Sequence, residues 1–138
     1  MNKIIIIKNQ DDLENYKDEY GYYIDGNAEF AQNIEFAGRL LVNGYLIVGG
    51  HIKVSGFIEV KGYIETKGFI AAGEFIKTSQ YIEAGGFIEA GEYIKAGGYV
   101  KSNEYIETKG YINSGEYVEA GSGYGISAGL YITCKTMK

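Results

Sequence analysis

Residues 81–98 read Tyr81-Ile82-Glu83-Ala84-Gly85-Gly86-Phe87-Ile88-Glu89-Ala90-Gly91-Glu92-Tyr93-Ile94-Lys95-Ala96-Gly97-Gly98, one six-residue phrase three times over. The phrase is aromatic, aliphatic, polar, small, and then a glycine-rich pair. Outward from this stretch, an aliphatic residue recurs at every sixth position from Ile34 to Val118 without a miss. Two positions after each comes a second tuned site, which runs from Phe36 through Val42, Val48, Val54 and Val60 to Ala, Thr and Ser. One position before it stands an aromatic ring from Tyr45 onward, with His51 as the exception.

Period two inside each phrase is the mark of a short strand, because successive side chains point to opposite faces. The aliphatic and small residues form the inner set, since a close-packed core tolerates little change in volume. A six-residue period fits neither 3.6 nor 3.5, and so many glycines in a helix would be costly. Strand and corner, repeated, make a β-solenoid. The aromatic column fixes the size of the coil. Every third unit gives Tyr45, Tyr63, Tyr81, Tyr99 and Tyr117, all tyrosine, which predicts about 18 residues and three short strands per coil. The corner glycines are expected to supply backbone angles closed to other residues.

The fold class is therefore all-β, a β-solenoid with a short N-terminal α-helical cap. The expected organisation is a strand-and-helix cap over 1–30, hexad repeats over 31–122, and an irregular coil continuing the solenoid over 123–138. In the cap, Ile4 to Ile7 reads as a strand and Asp11 to Lys17 as a short helix with acids in its first turn, where the helix dipole favours them. Leu13, Tyr16 and Tyr20 are expected to face the first coil. After Val118 the register slips by two, and Ile126 and Ile132 resume the unit. A solenoid exposes unpaired strands at its ends and needs caps. No helical cap follows residue 122, so Ile126 and Ile132 are the expected self-association site, through a homodimer or a filament.

The chain has 138 residues, a net charge of −5, no tryptophan, no proline and one cysteine. A single cysteine excludes an internal disulfide framework. No apolar run approaches the roughly 18–20 residues of a membrane span, and the short start at Ile4–Ile7 does not read as a secretory leader, so a cytoplasmic location is expected. The missing basic patch argues against direct nucleic-acid binding. His51 occupies an ordinary aromatic slot without an identifiable partner for base catalysis. Cys134 sits in an inner slot and reads as packing. No Cys/His cluster has metal-ligand spacing. The expectation is a non-enzymatic chain needing no cofactor and no metal.

Two surface features remain. The tyrosine column, Tyr45 to Tyr117, is either a stabilising stack or a flat aromatic strip for a partner. Glu89 and Glu107 share a column on the 18-residue coil, Glu74 and Glu92 share the next corner, and Glu104 lies just before that face. These acids form a candidate strip complementary to a basic groove on another protein.

The unit order, as in Ile82-Glu83-Ala84, resembles that of bactofilins, right-handed β-helices that polymerise. It departs from the left-handed hexapeptide acyltransferases, whose small residue precedes the aliphatic. The stretch Gly123-Tyr-Gly-Ile-Ser-Ala-Gly-Leu-Tyr-Ile-Thr-Cys-Lys135 is similar to the tails of small glycine-rich solenoids of bacteria and phages, among which anti-CRISPR inhibitors are known. The resemblances imply right-handedness and two roles. One is a protein–protein inhibitor of a nuclease or other nucleic-acid-binding host protein, and the other is a polymer-forming scaffold. The tyrosine column adds a third expectation, a carbohydrate or surface binder.

Overall fold

The computed structural model describes residues 3–137. It is a parallel β-solenoid of about six turns, with three strands and about 18 residues per coil. Three ladders run along the rod, with eight, six and eight strands. Face A holds Leu46–Val48, Ile64–Thr66, Ile82–Ala84 and Val100–Ser102; face C holds Ile52–Val54, Ile70–Ala72, Ile88–Ala90 and Ile106–Thr108; face B holds Ile58–Val60, Ile76–Thr78, Ile94–Ala96 and Ile112–Ser114. The chain visits them in the order A, C, B. Pairing is in register one coil apart, so Ile64 sits beside Ile82, Ile70 beside Ile88 and Ile76 beside Ile94. The parallel ladders reach back to Ile4–Ile7 on face A and, on face B, to Gly21–Ile24, which pairs with Arg39–Val42.

The aliphatic column is the core. Ile52, Ile58, Ile64, Ile70, Ile76, Ile82, Ile88 and Ile94 are fully buried. The second inner site explains its own polar residues. Thr66 Oγ1 donates to the Gly68 carbonyl (2.8 Å), Thr78 Oγ1 to that of Gln80 (2.9 Å) and Ser102 Oγ to that of Glu104 (2.8 Å). Each hydroxyl satisfies a carbonyl of the corner that follows it, so a buried polar group costs little.

The corner glycines require a different explanation from the expected one. Positive φ occurs only at Gly21, Gly26, Gly38 and Gly123 among the described residues. At Gly85 and Gly91 the reason for glycine is a close approach. A Cβ there would press into the carbonyl oxygens of Lys67 and Gly73, one coil earlier. The stacking distance of the coils thus selects glycine, rather than an unusual backbone angle.

At the N-terminal end Ile4–Ile7 pairs with Asn27–Phe30 on face A. The helix is shorter than the sequence suggests, Gln10–Glu14, and is capped by Asn9, whose side chain accepts from the Asp12 N–H (2.9 Å). Chain order puts this helix where the first strand of face C would stand. Leu13 is buried and Tyr16 packs against the core, as expected. Tyr20 does not; it is 66% exposed, with the Arg39 guanidinium 5.4 Å from its ring centroid. The short strand Lys17–Asp18 then returns antiparallel onto Gly21–Tyr22. At the other end the two-residue slip is a loop at 121–125 with Gly123 at φ 84°, after which Ile106 pairs with Ile126 and Ile112 with Ile132.

Candidate interaction surface

The aromatic residue of each phrase lies at the corner entering a strand, so the 18-residue coil puts equivalent rings directly above one another. All three faces carry such ladders. On face A the ring centroids of Tyr45, Tyr63, Tyr81, Tyr99 and Tyr117 are spaced 5.1, 4.8, 4.7 and 4.9 Å apart, with neighbouring planes within 10°. Face C stacks His51, Phe69, Phe87 and Tyr105 at 4.3, 4.6 and 4.8 Å. Face B stacks Phe57, Phe75, Tyr93 and Tyr111 at 4.6, 4.8 and 4.8 Å. These spacings match the separation of hydrogen-bonded strands. The face-A rings are half-buried. Their flat sides are taken up by one another, so the ladder presents ring edges outward rather than the strip of ring faces that a stacked ligand would need.

The hydroxyls follow a rule that the sequence analysis missed. Tyr45 donates to Glu29 (2.8 Å), Tyr81 to Glu65 (2.6 Å), Tyr99 to Glu83 (2.8 Å) and Tyr105 to Glu89 (3.1 Å). Each acceptor lies 16 positions earlier, in the polar slot of the preceding coil. Its signal in the sequence is a glutamate 16 residues before a ring. His51 obeys the same rule, with Nε2 3.2 Å from Glu35 Oε2. The partner missing from the sequence reading therefore exists, and the relation is that of the tyrosine ladder. Burial first, and then the Glu65 and Glu83 carboxylates, hold the Tyr81 and Tyr99 phenols well above the ordinary tyrosine value. At Tyr45 the hydrogen bond to Glu29 is the main cause of an upward shift, and at Tyr63 it is burial.

The acidic strip is assembled as the spacing suggested. Glu89 and Glu107 are register partners on neighbouring strands of face C. The Glu92 N–H bonds the Glu74 carbonyl (2.9 Å), which stacks these two residues in the corner between faces C and B. Glu104 is half-buried in the corner between faces A and C. A shallow groove beside the strip is lined by Glu89, Glu107 and Lys109, with Gly73 and Gly91 on its floor. Of the lysines that interleave with these acids along the chain, Lys109 lines the groove itself and Lys53 stands in the same face-C column, while others lie on the other faces. Lys77 and Lys95 are register partners on face B, and Lys101 is on face A, 3.8 Å from Glu119.

No family model, curated protein or solved structure matches this chain. The reading of its surface rests on its own geometry.

The remaining candidates lie at the C-terminal end. Ile126 and Ile132 pack against the core but are only partly buried, and Cys134 is a half-buried free thiol whose Sγ is 3.4 Å from the Thr136 carbonyl. Among the described residues no group of three or more His, Cys, Asp or Glu is placed to hold a metal ion, and no helix is long and apolar enough to cross a membrane.

Proposed function

We propose that this protein is a non-enzymatic interaction module of the cytoplasm that docks its acidic strip on a basic, nucleic-acid-binding surface of another protein and so competes with nucleic acid there. The observation that carries this reading is the register pairing of Glu89 with Glu107 beside the stacked Glu74 and Glu92. Like charges directly opposite on neighbouring strands are destabilising, and the Tyr105 bond accounts for Glu89 but not for Glu107. On face A the comparable pair, Glu65 and Glu83, is bonded by Tyr81 and Tyr99. Glu89 accepts a bond from Tyr105, and its carboxylate still lines the open groove with that of Glu107. A predominantly acidic strip on a rigid rod, in which Lys109 is the basic residue of the groove, steers encounter with a surface of opposite sign and excludes wrong partners.

The inhibitor form of this reading is a phage-type antagonist of a host nuclease or other nucleic-acid-binding defence protein, as the tail resemblance to anti-CRISPR solenoids implies. The carbohydrate alternative is disfavoured by the ladder geometry, because stacking on a sugar needs ring faces that neighbouring rings already cover.

The test is retention of a nucleic-acid-binding protein from bacterial lysate by the immobilised chain, with elution by DNA and a parallel experiment on the Glu89→Lys, Glu107→Lys double variant. The wild type retains such a protein, DNA displaces it, and the double variant does not bind it. Retention that survives the charge reversal, or that involves no nucleic-acid-binding protein, refutes the reading.

A further inference from the structure

The two ends of the rod are built differently. At the N-terminal end a helix stands in for a strand of face C, the strand Lys17–Asp18 folds back on face B, and the segment carries Lys8, Asp11, Asp12, Glu14, Lys17, Asp18 and Glu19. Helices, short strands and charges are the devices that keep sheet edges from pairing with other chains. Among the described residues the face-A edge, Ile4–Ile7, is the one left open there, flanked by Lys3 and Lys8.

Among the described residues no helix covers the C-terminal end, although its last strands are short and Lys135 stands between the last two. Its last strands are Ile126–Ala128, Ile132–Thr133 and Thr136–Met137, one on each face, and each ends its ladder. From Ala120 to Cys134 there is no charged residue, in a chain that is 22% charged. Ile126 and Ile132 occupy the inner column, yet they are only partly buried, whereas their partners one coil earlier, Ile106 and Ile112, are fully buried. Around the rim Leu130 is 72%, Tyr131 55% and Tyr124 52% exposed. Among the described residues the inner column is thus left partly uncovered at its last coil.

We propose that this end is a docking surface for the same end of a second copy, in a closed two-fold dimer. Three features select that occupant. The chain carries a net charge of −5, and the last coil, which holds no acid after Glu119 and carries Lys135, is where two copies approach with least repulsion between their acids. The blocked N-terminal end cannot offer three matching strand edges, so head-to-tail stacking into a filament has no complementary surface. A two-fold axis across the rod brings the open edges together antiparallel, which lets strand edges pair and closes the assembly. One coil is about 18 residues, close to the roughly 20 residues a side of a standard stable interface. This surface is the free edge of the last coil and adjoins the acidic strip where Ser127 pairs with Glu107, but the mass of the free protein does not depend on the strip's partner, so the two proposals are tested separately.

The experiment is light scattering coupled to size exclusion over a concentration series, on the wild type, on Ser127→Lys with Leu130→Lys, and on Ile4→Lys. Ser127 and Leu130 are exposed, so their lysines leave the core intact, which circular dichroism and melting verify. The wild type and Ile4→Lys run at twice the chain mass of 15.2 kDa without further growth, and the Ser127/Leu130 variant falls to half that value with an unchanged spectrum. A wild type that stays monomeric throughout, open-ended growth with concentration, a dimer that survives the two lysines, or one lost in Ile4→Lys would each overturn the proposal.

Discussion

Replacing Tyr81 with phenylalanine removes one oxygen from the middle of the face-A ladder and keeps the ring. The stack persists, because Phe57 and Phe75 already stack at 4.6 Å elsewhere in the same rod. What disappears is the 2.6 Å bond from the hydroxyl to Glu65. Hydrogen bonds to charged groups are worth about 1.5–3 kcal/mol, and an acceptor that can recover water loses less. Glu65 is half-buried, which puts the cost of Tyr81→Phe near 1.5 kcal/mol, the lower end of that range. Tyr63 provides the control one coil earlier. Its position 16 residues back is Ile47, and among the described residues its hydroxyl has no bonded carboxylate. Tyr63→Phe should therefore change stability by less than about 0.5 kcal/mol, as substitutions that break no specific contact do. Urea unfolding followed by far-ultraviolet circular dichroism measures both. The pairing is confirmed by a cycle with Glu65→Gln, in which Tyr81→Phe loses most of its effect. Equal costs at Tyr63 and Tyr81, or additivity with Glu65→Gln, would refute the claim that the hydroxyl–carboxylate bonds tie adjacent coils together.

Two further outcomes follow from the geometry. Gly85→Ala should cost about 1–3 kcal/mol, the usual penalty for forcing atoms into a packed space, because its Cβ meets the Lys67 carbonyl; Gly125→Ala, with nothing near its Cβ, should be close to neutral, and thermal melts of the two compare them. Alkaline titration should unfold the rod. The phenols of Tyr81, Tyr99, Tyr93 and Tyr105 are raised chiefly by burial, so the folded state holds their protons more tightly than the unfolded chain. Their contribution is complete below the ordinary tyrosine value near pH 10 and is lost as pH climbs from there through the folded values. Melting temperature should accordingly be level from neutral pH to about 9 and fall steeply above 10; a flat profile through pH 11 would show that the folded ladder does not retain those protons.

The coil was legible because one residue class was placed with perfect regularity. The column Ile52, Ile58, Ile64 and onward fixes the strands, and Tyr45 to Tyr117 fixes how many make a turn. Columns that share a face also follow, which is why the acids Glu89 and Glu107 could be paired beforehand. Relations between slots on adjacent coils were harder to see. The bond from Tyr99 to Glu83 joins a corner residue to a strand residue of the coil before it, a diagonal that a column-by-column reading passes over. Likewise Thr78 and Ser102 read only as small, although their hydroxyls serve the corner carbonyls. The glycines were misread in cause, since composition shows that a Cβ is absent but not whether an angle or a neighbouring carbonyl excludes it. Tyr20 was placed inward from its neighbours Leu13 and Tyr16, but the chain reverses at Lys17–Asp18 and carries it out to Arg39.

The offset between ladder partners also sets how assembly spreads. Nearly every strand pairs with the one a single turn behind it, so each new coil closes a loop of the same modest length, and none has to wait for a distant part of the chain. The stack can start from any pair of neighbouring turns. Each later turn then meets a finished template and is laid down like a course of bricks on the one below.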